Sequence, residues 1–278
     1  MSKILFISDF YVEHLNGGAE NNDSVLVRHL SKNHDVTLAL SHETGPDVVE
    51  GYDLIIVSNF MFLSPITKAK IEKTKYVIYE HDHKYAKNRD PSKYPDFVIP
   101  DKEKINVSFY ENALSVIVLS EICKKVLEKN IPRATVHSIG CSLWSEEAFS
   151  ILRKLESTKK EADYCILESS NPIKRTAQAI EYCEKNEIVP TLLREAGYEP
   201  FLYNMARCER LLFLPAVLET FSRVCAEAKM LNLSLTTIPK KLGFASEDIF
   251  DLSGIELIDA LEQRNAKALN KFESFLEK

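Results

Sequence analysis

The stretch PAVLETFSRVCAEAKML, residues 215–231, carries two carboxylates, Glu219 and Glu227, with seven residues between them. Pro215 closes an apolar run, so Glu219 is expected in a loop. A helix opens near Phe221-Ser222 within a segment from about Thr220 to Leu231. That places Glu227 roughly one and a half turns inside the helix. The two acids then have different chemistry. A loop carboxylate accepts hydrogen bonds from both hydroxyls of a vicinal diol. The N–H groups of Thr220, Phe221 and Ser222, where loop becomes helix, suit a diphosphate, and Glu227 is placed for a ribose. As a bare spacing the pattern is weak, because any charged amphipathic helix offers it. Its position between a strand, a proline and a helix is more specific.

Three other junctions carry reactive or charged side chains. In ESSNPIKRTAQAI, Lys174 and Arg175 fall where a strand gives way to a helix. Cations beside a helix amino terminus form an anion site, with lysine acting as a point charge; a solvated basic turn is the plain alternative. In NGGAE, Gly17 and Gly18 precede a helix, allowing close backbone approach of a phosphate, or simply a turn that needs positive φ. In YVIYEHDHKY, His81, Asp82 and His83 follow a strand. Two histidines on one face of an extended segment could hold a metal, but no third ligand cluster accompanies them, so no metal is expected. Alternatively His81 bonds a polar ligand while adjacent Asp82 fixes its tautomer, or the loop is merely solvated.

Short Val/Ile/Leu-rich runs alternate with helical patterns and must position these junctions. Strands are expected over residues 3–8, 35–40, 53–58, 75–80, 115–120 and 134–140, then 163–169, 188–195, 210–216 and 233–238. Helices are expected over 20–32, 121–130, 175–185 and 220–231, with a long charged one from Ile255 to Lys278. Such continuous apolar runs mark parallel sheets buried on both faces. Residues 145–160 read as a charged helical linker. The expected architecture is α/β, two Rossmann-like domains of residues 1–143 and 144–278, with the final helix, 256–278, able to pack back on the first. In open sheets of this kind ligands bind beyond the carboxyl ends of the strands, and between two such domains a cleft is the expected site.

Bulk composition narrows the class. The 278 residues are 45% hydrophobic and 27% charged, as in a globular protein. Lys+Arg 35 against Asp+Glu 41 gives a net charge of −6, which argues against a nucleic-acid partner. There is no signal-peptide pattern and no apolar run long enough for a bilayer, so a cytoplasmic protein is expected. The six scattered cysteines lack a C-x-x-C pair and are expected reduced and mostly buried. The glycine loop lacks G-x-G-x-x-G, against a nicotinamide or flavin enzyme.

Taken together, these motifs resemble the retaining GT-B glycosyltransferases of the group-4 type, the glycosyl transferases group 1 domain. LPAVLETFSRVCAEAKML is similar to that family's P-s-x-x-E-g-F-g-x-x-x-x-E-A-m signature; NGGAE, VIYEHDH, VLSEICKKVL and NPIKR follow in the family's order. The resemblance implies that Glu219 contacts the donor sugar, Glu227 the ribose and Lys174 the diphosphate. It puts Gly17 and Gly18 near the donor and His81 near the transferred sugar. It implies transfer from a nucleotide sugar, with retention and without metal, to a saccharide, lipid-linked or other acceptor. Contact with a membrane surface is open but has no basic amphipathic run behind it. The sequence departs from the family at four places. Leu167-Glu168 stands where Gly-Arg is usual, Thr220 and Ser222 replace glycine-like residues, and Asn232 stands where a glycine commonly precedes the next strand. Arg175, Arg194 and Arg223 are candidates to replace the missing arginine. Two alternatives follow, a non-catalytic sugar- or nucleotide-binding protein and a nucleotide-sugar epimerase.

Overall fold

The computed structural model describes all residues except Asn16, Glu195, Ala196 and Lys278. Asn16 of NGGAE, Glu195 at the end of the 188–195 run and Lys278 of the last helix therefore lie outside the described residues. The chain forms two compact units, Met1–Leu143 with Arg264–Lys278, and Trp144–Gln263.

The first unit contains β1 (Lys3–Ser8), α1 (Gly18–Leu30), β2 (Asp35–Leu40), β3 (Leu54–Val57), α2 (Pro65–Ile71), β4 (Tyr76–Tyr79), α3 (Val107–Glu111), β5 (Ser115–Val118), α4 (Glu121–Asn130) and β6 (Val136–Ser138). Its six strands are parallel in the order β2-β1-β3-β4-β5-β6. The order reverses between β1 and β3, the place where ligands bind in open sheets of this kind. Four-residue runs such as LIIV and YVIY are buried along their whole length, as a sheet covered on both faces requires. The edge strand β2 departs from that expectation, with a mostly exposed or half-buried pattern, because it has only one neighbour. Residues 264–278 belong to this unit, and Phe272 packs edge-on against Tyr79 at 5.0 Å between ring centroids.

The second unit contains α5 (Glu146–Leu155), β7 (Ala162–Leu167), α6 (Thr176–Lys185), β8 (Thr191–Leu193), α7 (Tyr198–Ala206), β9 (Cys208–Phe213), α8 (Arg223–Met230) and β10 (Ser234–Thr237); α9 (Gly254–Glu273) runs on from it. The strands are parallel in the order β10-β9-β7-β8, with the reversal between β7 and β9. The helical stretch expected over 145–160 is α5, but it packs into the second unit rather than standing as a linker. Ser145 caps α5 by accepting the Ala148 N–H, and Ala148, Phe149, Leu152 and Leu155 are buried. Helix α7 was not legible as a helix because Pro200 sits in its first turn, a position that tolerates proline. Among the described residues no helix is long and apolar enough to cross a membrane. All six cysteines are free and buried.

A buried charge cluster holds the loop after β4. Lys84 is fully buried and donates to Glu80 Oε1 at 2.9 Å and Asp82 Oδ1 at 2.8 Å. Tyr110 donates to Glu80, and Arg89 to Asp82 Oδ2 at 2.8 Å. Burial pushes the Glu80 carboxyl up, but the Lys84 charge and the Tyr110 hydroxyl outweigh it and hold the group below the usual carboxylate range. A depressed carboxylate stabilises the fold fully above its unfolded pKa and loses that contribution as pH falls through the folded value. Lys84→Ala leaves the acids uncompensated and is expected to cost about 3–5 kcal/mol at neutral pH. Urea unfolding is expected to show wild-type stability falling below about pH 4.5, with a smaller decline in the variant.

Candidate functional site

In the second unit the loops after β7 and β9 meet where the strand order reverses. A backbone bond from the Ala216 N–H to the Ile173 carbonyl, 2.9 Å, joins them. Lys174 and Glu219 are thereby brought together, with Nζ 2.8 Å from Oε1 and 3.0 Å from Oε2. The ammonium also lies 5.5 Å from the centroid of the Phe213 ring. The Glu219 backbone is zipped to residues 241–243, its N–H donating to the Lys241 carbonyl and its carbonyl accepting from the Gly243 N–H. Both side chains remain partly accessible, at 26% for Lys174 and 12% for Glu219, so a ligand can reach them. A cation on a bidentate carboxylate at this edge can be offered to a phosphate, while the carboxylate turns to sugar hydroxyls.

Helix α8 begins at Arg223, three residues later than about Thr220, because Ser222 takes a left-handed conformation with φ 77°. Thr220 and Phe221 thus lie in the preceding loop, with Phe221 buried against Trp144 and Phe244. The first N–H groups of the helix belong to Arg223 and its successors. Asn232 is also left-handed, at φ 61°. Two departures from glycine therefore keep the backbone region that glycine favours. Glu168, standing where an arginine was expected, is ion-paired with Arg194. Of the other candidate replacements, Arg223 stacks 4.8 Å from the Trp144 ring centroid and reaches Glu227 at 3.4 Å, and Arg175 caps α6 in a left-handed conformation.

Glu227 is buried and accepts from Trp144 Nε1 and Tyr198 Oη, each at 2.9 Å. Burial pushes the Tyr198 hydroxyl well above its usual range, so it stays a neutral donor. Trp144 and Tyr198 were not singled out by sequence. Trp144 carried a usable signal as the sole tryptophan of the chain, since a buried indole N–H needs an acceptor.

In the first unit Gly17 caps α1 with φ −115°, so it is not there to supply a left-handed turn. A Cβ at Gly17 would stand 2.3 Å from Glu20 Oε2, and Gly18 is the first helical residue. His81 and His83 do not form a pair. His83 is left-handed, with Nδ1 3.0 Å from Tyr85 Oη, whereas His81 Nε2 lies 3.1 Å from Asp23 Oδ1. Asp82, the expected partner of His81, is engaged by Lys84 and Arg89. Among the described residues no group of three or more His, Cys, Asp or Glu side chains could hold a metal. Asp23 was missed, although an acid sharing the buried face of α1 with Leu26 and Leu30 was readable as one needing partners.

Solved structures share this arrangement of two parallel sheets. HepE of Anabaena in complex with UDP and glucose is similar at a TM-score of 0.55 and 13% identity, covering 99% of this chain and 100% of that one. The fold is GT-B. An alpha-glucosyltransferase bound to UDP and a 13-mer DNA containing a HMU base is similar at 0.51 and 11% identity, covering 99% and 95%. The UDP-GlcNAc 2-epimerase of Methanocaldococcus jannaschii aligns at 0.48 and 13%, covering 99% and 92%. No protein-family model and no curated protein matches the chain.

Glu227→Ala strands the Trp144 N–H and the Tyr198 hydroxyl and is expected to cost about 1–3 kcal/mol per group. Glu227→Gln keeps an acceptor oxygen and loses less; denaturation followed by Trp144 fluorescence distinguishes them. Ser222→Gly relieves a left-handed serine and is expected to leave the melting temperature unchanged or raise stability by about 1 kcal/mol.

Proposed function

We propose that this GT-B protein is a cytoplasmic glycosyltransferase that moves a sugar from a nucleoside-diphosphate sugar to a saccharide, lipid-linked or other non-nucleic-acid acceptor, with retention and without a metal. The observation that carries this reading is the Lys174–Glu219 pair at the strand-order reversal of the second sheet. Lys174 would leave Glu219 for the diphosphate, with Arg175 nearby, and Glu219 would accept from the sugar hydroxyls. The loop of Thr220, Phe221 and Ser222 and the amino end of α8 would face the phosphates, and Glu227 the ribose edge. In the first unit, Gly17, Gly18 and His81 are the candidates to contact a sugar. The bond from the anomeric carbon to the phosphate oxygen breaks with its electron pair going to the diphosphate. The acceptor oxygen bonds to the same face of that carbon, and its proton goes to the departing phosphate. Stabilising charge on the leaving group is then the main work of the protein, and Lys174 is suited to it.

UDP sugars are the first donors to test, since HepE and the alpha-glucosyltransferase were solved with UDP. A second reading, binding without transfer, is favoured by Glu168 standing where the family has an arginine and by the filled bonding of Glu227. In a thermal-shift panel of UDP, GDP and ADP sugars, one nucleotide class should stabilise the protein, by about 2.7 kcal/mol at a hundredfold excess over Kd. Lys174→Ala should weaken that donor at least about tenfold. Glu219→Ala should lower transfer or donor hydrolysis at least about a hundredfold while the nucleotide still binds. Binding with no turnover by wild type would favour the second reading; no shift with any nucleotide sugar would sink both.

A further inference from the structure

The buried carboxylate of Asp23 gathers donors from three strand ends. Ser8 Oγ, at the end of β1, donates to Oδ2 at 3.1 Å, and Ser58 Oγ, just beyond β3, donates to Oδ1 at 2.7 Å. His81, beyond β4, places Nε2 3.1 Å from Oδ1. Asp23 and both serines have no exposed surface, and all lie around the strand-order reversal of the first sheet. A carboxylate only accepts, so the ring nitrogen facing it carries a hydrogen. A neutral imidazole has one N–H, so its lone pair then resides on Nδ1. The Tyr79 ring, with its centroid 4.2 Å from that of His81, restrains the plane of the imidazole.

We propose that Asp23 is the positioning residue for His81: it accepts the hydrogen bond from Nε2 and so holds the ring in the Nε2–H tautomer and in one orientation for the bound sugar or acceptor. The second half rests on the reading of His81 as a candidate to contact a sugar; the tautomer does not. Asp23 acts through His81 and does not touch substrate. It ties the ring to α1, the helix that begins at Gly18.

The tautomer is read directly by long-range proton–nitrogen correlation on ligand-free protein labelled with 15N-histidine. Wild type is expected to show Nε2–H for His81; an Nδ1–H pattern overturns the proposal with no variant needed. In Asp23→Asn the amide can turn its NH2 toward Nε2, so the Nδ1–H form should gain population. With a turned-over donor, kcat should drop at least about tenfold, as expected for a wrong tautomer, with donor KM within about twofold. An unchanged tautomer in that variant, or a loss confined to KM, overturns the proposal. Ser58→Ala keeps the Asp23–His81 contact and should keep the tautomer, and a shift as large as that of Asp23→Asn overturns the assignment to Asp23. If the wild-type tautomer is as expected but no nucleotide sugar is turned over, the glycosyltransferase reading fails and the positioning of His81 by Asp23 stands.

Discussion

An ionised or polar group withdrawn from water must find a partner, and most of the groups that could do chemistry in this chain are arranged by that requirement. Lys174 closes on Glu219, Glu227 on Trp144 and Tyr198, Asp23 on Ser8, Ser58 and His81, and Lys84 on Glu80 and Asp82. The first three sets join segments far apart in sequence, whereas Lys84 gathers acids two and four residues away within the loop after β4. The same bonds that satisfy these groups fix their geometry, so stability and site architecture are one problem in each unit.

The fold was legible because parallel strands covered on both faces leave continuous apolar runs, and these runs were visible from KILFIS to LSLTTI. Edges of elements were less so. The 134–140 run shortened to Val136–Ser138 and the 188–195 run to Thr191–Leu193, since pairing with a neighbour decides where a strand stops. The residues 145–160 misled because the charges on the outer face of α5 were visible while its packed face was not. Helices α2, α3 and α7 were missed, two of them too short for periodicity to declare itself.

Within the site, loop position was readable and pairing was not. Pro215 correctly put Glu219 in a loop, but nothing in the sequence says that a lysine 45 positions earlier reaches it. The histidine loop shows the same limit in a sharper form. Adjacency suggested Asp82 as the partner of His81, yet the chain turns left-handed at His83 and hands Asp82 to Lys84 and Arg89, while Asp23, 58 positions away, takes the ring. Glycine substitution was the reverse case. Ser222 and Asn232 looked like losses of a motif, but both retain the left-handed backbone, so the local path of the chain survives the change of side chain.

The contact between Lys174 and Glu219 also bears on how a reaction cycle would end. In the proposed reaction, a nucleotide that still carries its sugar gives each member of the pair a new partner, phosphate for one and hydroxyls for the other. Once the sugar has been passed on, Glu219 has nothing to hold, and its pull on Lys174 opposes the remaining diphosphate. In that reaction the protein would contain its own competitor for the spent nucleotide, and re-forming the ion pair would favour emptying the site for the next donor.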